Sequence, residues 1–157
     1  MDLKKLKDQY AELQKRYHLP EFSALNHDFD IEKLQENESD VLLREIRRTM
    51  LEKNLSYTRF IDMILNPSNA PMFLLILLKN VNNVEKNALN EVYLELGKYE
   101  IRSLSLDNYY DEQKEADFII KFFAEWQEIK KRFSVILESF EGSWDRKSEK
   151  REKGYLG

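Results

Sequence analysis

Apolar residues recur along most of this chain at spacings of three and four, which places them on one face of an α-helix. Leu3, Leu6, Tyr10, Leu13 and Tyr17 predict a first helix over 3–17. Pro20 stops it, because proline lacks an amide donor and disfavours helix in the residue before it. Residues 21–38 are less regular: Phe22, Leu25, Phe29, Ile31 and Leu34 are apolar enough to dock, while Asn26, Asp28 and Asp30 favour turns. This stretch reads as a packed loop followed by a short helix near 31–35.

Asn37 or Ser39 then caps a helix from about Asp40, with Leu42, Leu43, Ile46, Met50 and Leu51 inward and Arg44, Arg47 and Arg48 outside the stripe. Ser56 is a candidate cap for a second segment over 57–65, so 42–65 reads as either one helix or two. Asn66-Pro67 is a stop. Pro71 sits where a first helical residue belongs, and the run Met72 to Leu78, apolar nearly all round, predicts the central and most buried helix, ending near Asn80. Asn82 followed by Glu85 has the spacing of a capping box. The helix it opens turns Val84, Ala88, Val92, Leu96 and Tyr99 inward.

Asp107 or Asn108 is the expected cap of the longest element, about 108–141. There Phe118, Phe122, Trp126, Ile129, Phe133, Leu137 and Phe140 keep an eleven-residue period, and the stripe runs almost straight along the helix. Such a helix is about 50 Å long, more than a compact bundle of this size requires, so one end projects or packs against something else. Gly142 is the expected stop. The fold class is therefore all-α: a single-domain bundle of five to six helices over 1–141, built around the long C-terminal helix, with 142–157 a mobile charged tail.

Composition narrows the chemistry. Only four Gly and three Pro among 157 residues argue against a turn-rich sheet protein, and no Cys excludes disulfides, thiolate zinc sites and cysteine nucleophiles. The N-terminus is charged throughout, so no secretory signal is expected there. The most apolar run is seven residues where a span needs about 20, so no membrane partner and a cytoplasmic location are expected. Net charge is −4; residues 41–80 carry six basic and three acidic side chains, and 107–141 carry five and nine. These two segments are expected to pair.

Neither His18 nor His27 lies in a nucleophile context, and no Glu-x-x-His pair supports a di-iron site. Glu91 and Glu95 on one helix, with Glu112 and Glu115 on the next, form an alternative Mg or Mn site for phosphate-ester hydrolysis, because hard cations take oxygen ligands. Arg44, Arg47 and Arg48 form an alternative anion or nucleic-acid site, because guanidinium suits phosphate. The leading expectation is a non-catalytic interaction or scaffold bundle with no cofactor. It holds a protein partner or a second copy, as a homodimer, through Ile119, Phe123, Ile136 and Trp144, apolar residues beyond the main stripe or in the tail.

Overall fold

The computed structural model describes residues 2–36 and 39–155, with side chains to 146. Among them lie six α-helices: α1 Leu3–Tyr17, α2 Phe22–Phe29, α3 Leu42–Leu65, α4 Met72–Leu78, α5 Asn83–Asn108 and α6 Glu112–Tyr155. Two 3₁₀ turns, Ile31–Glu36 and Pro67–Asn69, complete the order, and no strand occurs among the described residues. The fold is all-α. No described helix is long and apolar enough to cross a membrane.

The chain forms two compact units, Met1–Tyr57 with Leu96–Trp126, and Thr58–Glu95 with Gln127–Gly157. In the first unit, Asp2 caps α1 by accepting from the Lys5 amide at 2.7 Å. The helix ends at His18, whose left-handed backbone (φ 56°) sends its N–H to the Gln14 carbonyl. Residues 22–29 form a helix where a loop was expected. Leu25 and Phe29 are buried on one side of it, and the Asn26 carboxamide, a turn former by type, accepts from the Glu32 amide at 2.8 Å. Asp30, also left-handed (φ 56°), separates this helix from the 3₁₀ turn. The unit's core is aromatic: Trp126 meets Phe29 at 5.3 Å and Tyr57 at 4.8 Å between ring centroids, and Phe122 meets Tyr99 at 4.6 Å. Such ring pairs add about 0.5–1.5 kcal/mol each beyond their buried area.

Helix α3 is one element. Its polar Asn54 does not break it, because the side chain is buried and donates to the Leu96 carbonyl at 3.2 Å and to Glu100 at 3.3 Å. Arg47, expected outside the stripe, is fully buried: it lies four residues after Leu43 and three before Met50, on the inward face.

In the second unit, Ile61, Ile64, Leu74, Leu89, Val92, Ile129 and Phe133 are buried. The capping box forms, with the Asn82 amide donating to Glu85 at 3.0 Å and the Glu85 amide to Asn82 at 2.9 Å. Helix α4 is not the most buried element: only Leu74 is buried, while Met72 and Phe73 are 73% and 52% exposed. Seven residues make about two turns, so the chain covers one side and leaves the other open. Val84, expected inward, is exposed at the first turn of α5.

Helix α5 extends to Asn108, so Asp107 lies within it, and Asp111 caps α6 by accepting from the Lys114 amide at 3.0 Å. Helix α6 spans 44 residues, roughly 65 Å at 1.5 Å per residue. It passes through Gly142, whose missing Cβ would meet nothing within 4 Å. Glycine weakens a helix by about 1 kcal/mol, too little to end one this long. Phe118, Phe122, Trp126, Ile129, Phe133 and Phe140 are buried as the period implies, and Ile136 is more buried than Leu137.

Candidate functional site

The residues with candidate chemistry fall into three places. The first is a buried polar network in the first unit. Arg47 Nε donates to Glu115 Oε2 at 2.6 Å, and both side chains are fully buried. Arg47 also donates to Asp107 at 2.7 Å, to the Ser103 carbonyl at 3.3 Å and to the Ser103 hydroxyl. Arg44 reaches Glu115 at 3.5 Å and the Leu106 carbonyl at 3.3 Å, its guanidinium 4.9 Å from the centre of the Tyr110 ring; Arg48 reaches Asp107 at 3.3 Å. The helix ends favour this arrangement, since α5 offers carbonyls near its C-terminus to cations and α6 carries Glu112 and Glu115 in its first turn.

Burial works against the charge on Arg47, but hydrogen bonds to Glu115 and Asp107 outweigh it and hold the guanidinium above its usual value. For Asp107 burial acts to raise the carboxyl, and the hydrogen bonds and charges of Arg47 and Arg48 overcome that and hold it low. The three arginines considered for anion binding are therefore matched by the chain's own acids, as the charge of 41–80 against 107–141 implied. Arg47 has no face left for a ligand.

Three of the four carboxylates considered for a metal are likewise engaged, and Glu91 is exposed. Glu115 belongs to the network above, and Glu112 lies 3.4 Å from Arg16. Glu95 accepts from Arg132, whose guanidinium is raised by that hydrogen bond and by the charges of Glu95 and Glu91. Among the described residues no group of three or more His, Asp or Glu side chains is placed to hold a metal ion.

The second place is a recess of about 500 Å³ in the second unit, between α4 and the C-terminal part of α6. Leu74 and Phe140, both buried, form its base, with Phe60, Leu77 and Leu137 around them; Phe73 and Trp144 (45% exposed) stand at the mouth with Glu141 and Asp145. Of the residues expected to form an interaction surface, Trp144 is here. Ile119 and Ile136 are instead buried in the chain's own core, and Phe123 is half-buried. Sequence reasoning missed Phe73, because an unbroken apolar run carries no mark of which side stays uncovered.

The third place is a recess of about 330 Å³ in the first unit, where α5 and α6 contribute Arg102, Leu106, Lys114, Phe118 and Lys121. No protein-family profile matches the chain, and comparison with curated proteins and with solved structures returned no match.

Proposed function

We propose that this chain is a non-catalytic interaction bundle that associates with a second copy of itself. The C-terminal part of α6 packs antiparallel against the same segment of its partner, and the α4–α6 recess receives apolar side chains from that copy. The observation that carries this reading is an open aromatic recess beside a helix whose charge changes sign. Residues 138–145 contain three acidic and no basic residues, and 146–153 contain five basic and two acidic ones. A helix with that pattern is complementary to itself when two copies run antiparallel about a two-fold axis, because each acidic stretch then meets a basic one. Parallel pairing sets like against like.

Phe73 and Trp144 supply the apolar part, each contributing roughly 1.5–3 kcal/mol if fully buried. A 16-residue stretch of helix is about 24 Å long, so the interface belongs to the class below roughly 1,200 Å² that gives reversible complexes. The test is sedimentation velocity across the micromolar range. Wild-type protein shifts from monomer to dimer with concentration, less so at high salt; W144E and E141K/D145K stay monomeric, and mixing E141K/D145K with K150E/R151E restores dimer. A wild-type protein that is monomeric throughout, or a dimer unchanged by these substitutions, overturns the proposal.

A further inference from the structure

The recess between α5 and α6 in the first unit has a composition unlike the rest of that unit. Arg102 and Leu106 are one turn apart on α5, and Lys114, Asp117, Phe118 and Lys121 follow helical spacing along one side of α6. Phe118 and Leu106 give it an apolar base: Phe118 is buried against Tyr99 at 5.5 Å and Phe122 at 5.8 Å, which fixes its ring. Three cations and one carboxylate stand around that base.

Pairing sets Arg102 apart from the other arginines of its unit. Arg16, Arg44, Arg47 and Arg48, the other arginines of the unit, each have a carboxylate within 4 Å. Arg102 has none among the described residues; its guanidinium lies 5.5 Å from the centre of the Tyr99 ring. Lys121 has no ion-pair partner among the described residues either, and Lys114 has only Asp111 at 3.9 Å. Asp117 accepts from Gln113 at 3.0 Å. The recess thus holds surplus positive charge beside an aromatic floor, in a protein whose net charge is −4.

We infer that this recess binds a small phosphate monoester carried on a flat aromatic body. The planar fork of Arg102 suits two phosphate oxygens, and the lysine ammonium groups supply the charge that favours a dianion over a carboxylate. Phe118 and Leu106 receive the ring. The volume of about 330 Å³ suits a small molecule and not a polymer. This site is separate from the self-association proposed above and does not depend on it.

The test uses the full chain, with ¹⁵N amide shifts followed during titration with phenyl phosphate, inorganic phosphate and phenol. Phenyl phosphate moves the amides around 102–106 and 114–121 saturably, inorganic phosphate binds about tenfold more weakly, and phenol moves them little. Added salt weakens binding. R102Q and K121Q, at exposed positions, each lose about tenfold in affinity, and D117N, which removes the opposing charge, gains affinity. A parallel titration with a nucleoside 5′-monophosphate shows whether a sugar-linked phosphate is accepted as well as an aryl one. Absence of saturable shifts at these residues with both organic phosphates, or affinities unchanged in R102Q and K121Q, overturns the inference.

Discussion

Replacing Arg47 by Met removes the cation from a site where Glu115 has no access to water. Both side chains are fully buried and 2.6 Å apart. Breaking such a pair from one side costs about 3–5 kcal/mol, because the remaining charge stays buried without its partner. The two sides are not equivalent here. In R47M, Glu115 keeps only Arg44 at 3.5 Å, whereas in E115M, Arg47 keeps Asp107 at 2.7 Å and the Ser103 carbonyl. R47M is therefore expected near the upper end, about 4–5 kcal/mol, and E115M nearer 3. A domain of this size holds about 5–15 kcal/mol in all, and each kcal/mol moves Tm by about 2–4 °C, so the shifts are about 6–20 °C. The double variant R47M/E115M leaves an apolar contact and returns Asp107 to solvent and Arg48. It should cost at least 1.5–2 kcal/mol less than the sum of the singles, a coupling typical of about 0.5–3 kcal/mol for side chains in contact. Urea denaturation followed by far-UV circular dichroism and by tryptophan fluorescence measures all four corners of the cycle. Single variants within about 1 kcal/mol of wild type, or costs that add to within about 0.5 kcal/mol, refute the assignment of this network as the structural tie between α3, α5 and α6.

Three further outcomes follow from local geometry. Asp107 is held below its usual value near 3.8, so its contribution is complete above that value and is lost as pH falls through the folded-state one; D107N flattens the acid side of the stability–pH curve, read by urea midpoints between about pH 5 and 3. Burial and, to a lesser extent, the charge of Glu21 push the Tyr10 phenol up, and its hydroxyl donates to the Pro20 carbonyl at 2.5 Å. Y10F loses about 1 kcal/mol near neutral pH, and the gap to wild type closes as pH rises above 10, because the wild type alone must then bury an ionising phenol. His18 and Asp30 sit at left-handed φ of 56°, where glycine carries no Cβ penalty, so H18G and D30G each raise stability by about 0.5 kcal/mol in the same denaturation assay.

Much of the fold was legible where one physical signal dominated. The three-and-four spacing located α1 to the residue, the Asn82–Glu85 pair located the start of α5, and the aromatic stripe of α6 is the row of side chains the core buries. The misreadings came where two signals competed. Asn26 and Asp28 favour turns by type, but Leu25 and Phe29 are buried and hold residues 22–29 helical. Asp107 resembled a cap because it precedes a charged helix; Arg47 and Arg48 recruit it from within α5 instead, and Asp111 does the capping. The all-apolar run of α4 marked it as buried without saying which side, and the side left open became the mouth of the recess.

The candidate sites were less legible, for a reason of scale. Carboxylates at helical spacing look alike whether they await a cation or already face an arginine from another helix, and Glu115 does the latter across a sequence separation of 68. The arginines of α3 looked available for the same reason. Conversely, the recess arginine Arg102 stood out only once the other arginines of its unit were seen to be paired.

The antiparallel meeting of two α6 helices is tested most directly by cross-linking, which the lack of any cysteine in the chain makes clean. In that arrangement the two-fold axis passes close to the point where the charge changes sign, between Asp145 and Arg146. A single cysteine at R146C is then brought to its own copy, whereas one at K131C, about 22 Å away along the helix, is not. Under mild oxidation the account predicts rapid disulfide dimer from R146C, suppressed when W144E is added, and none from K131C. Equal, slow cross-linking at both positions would contradict it.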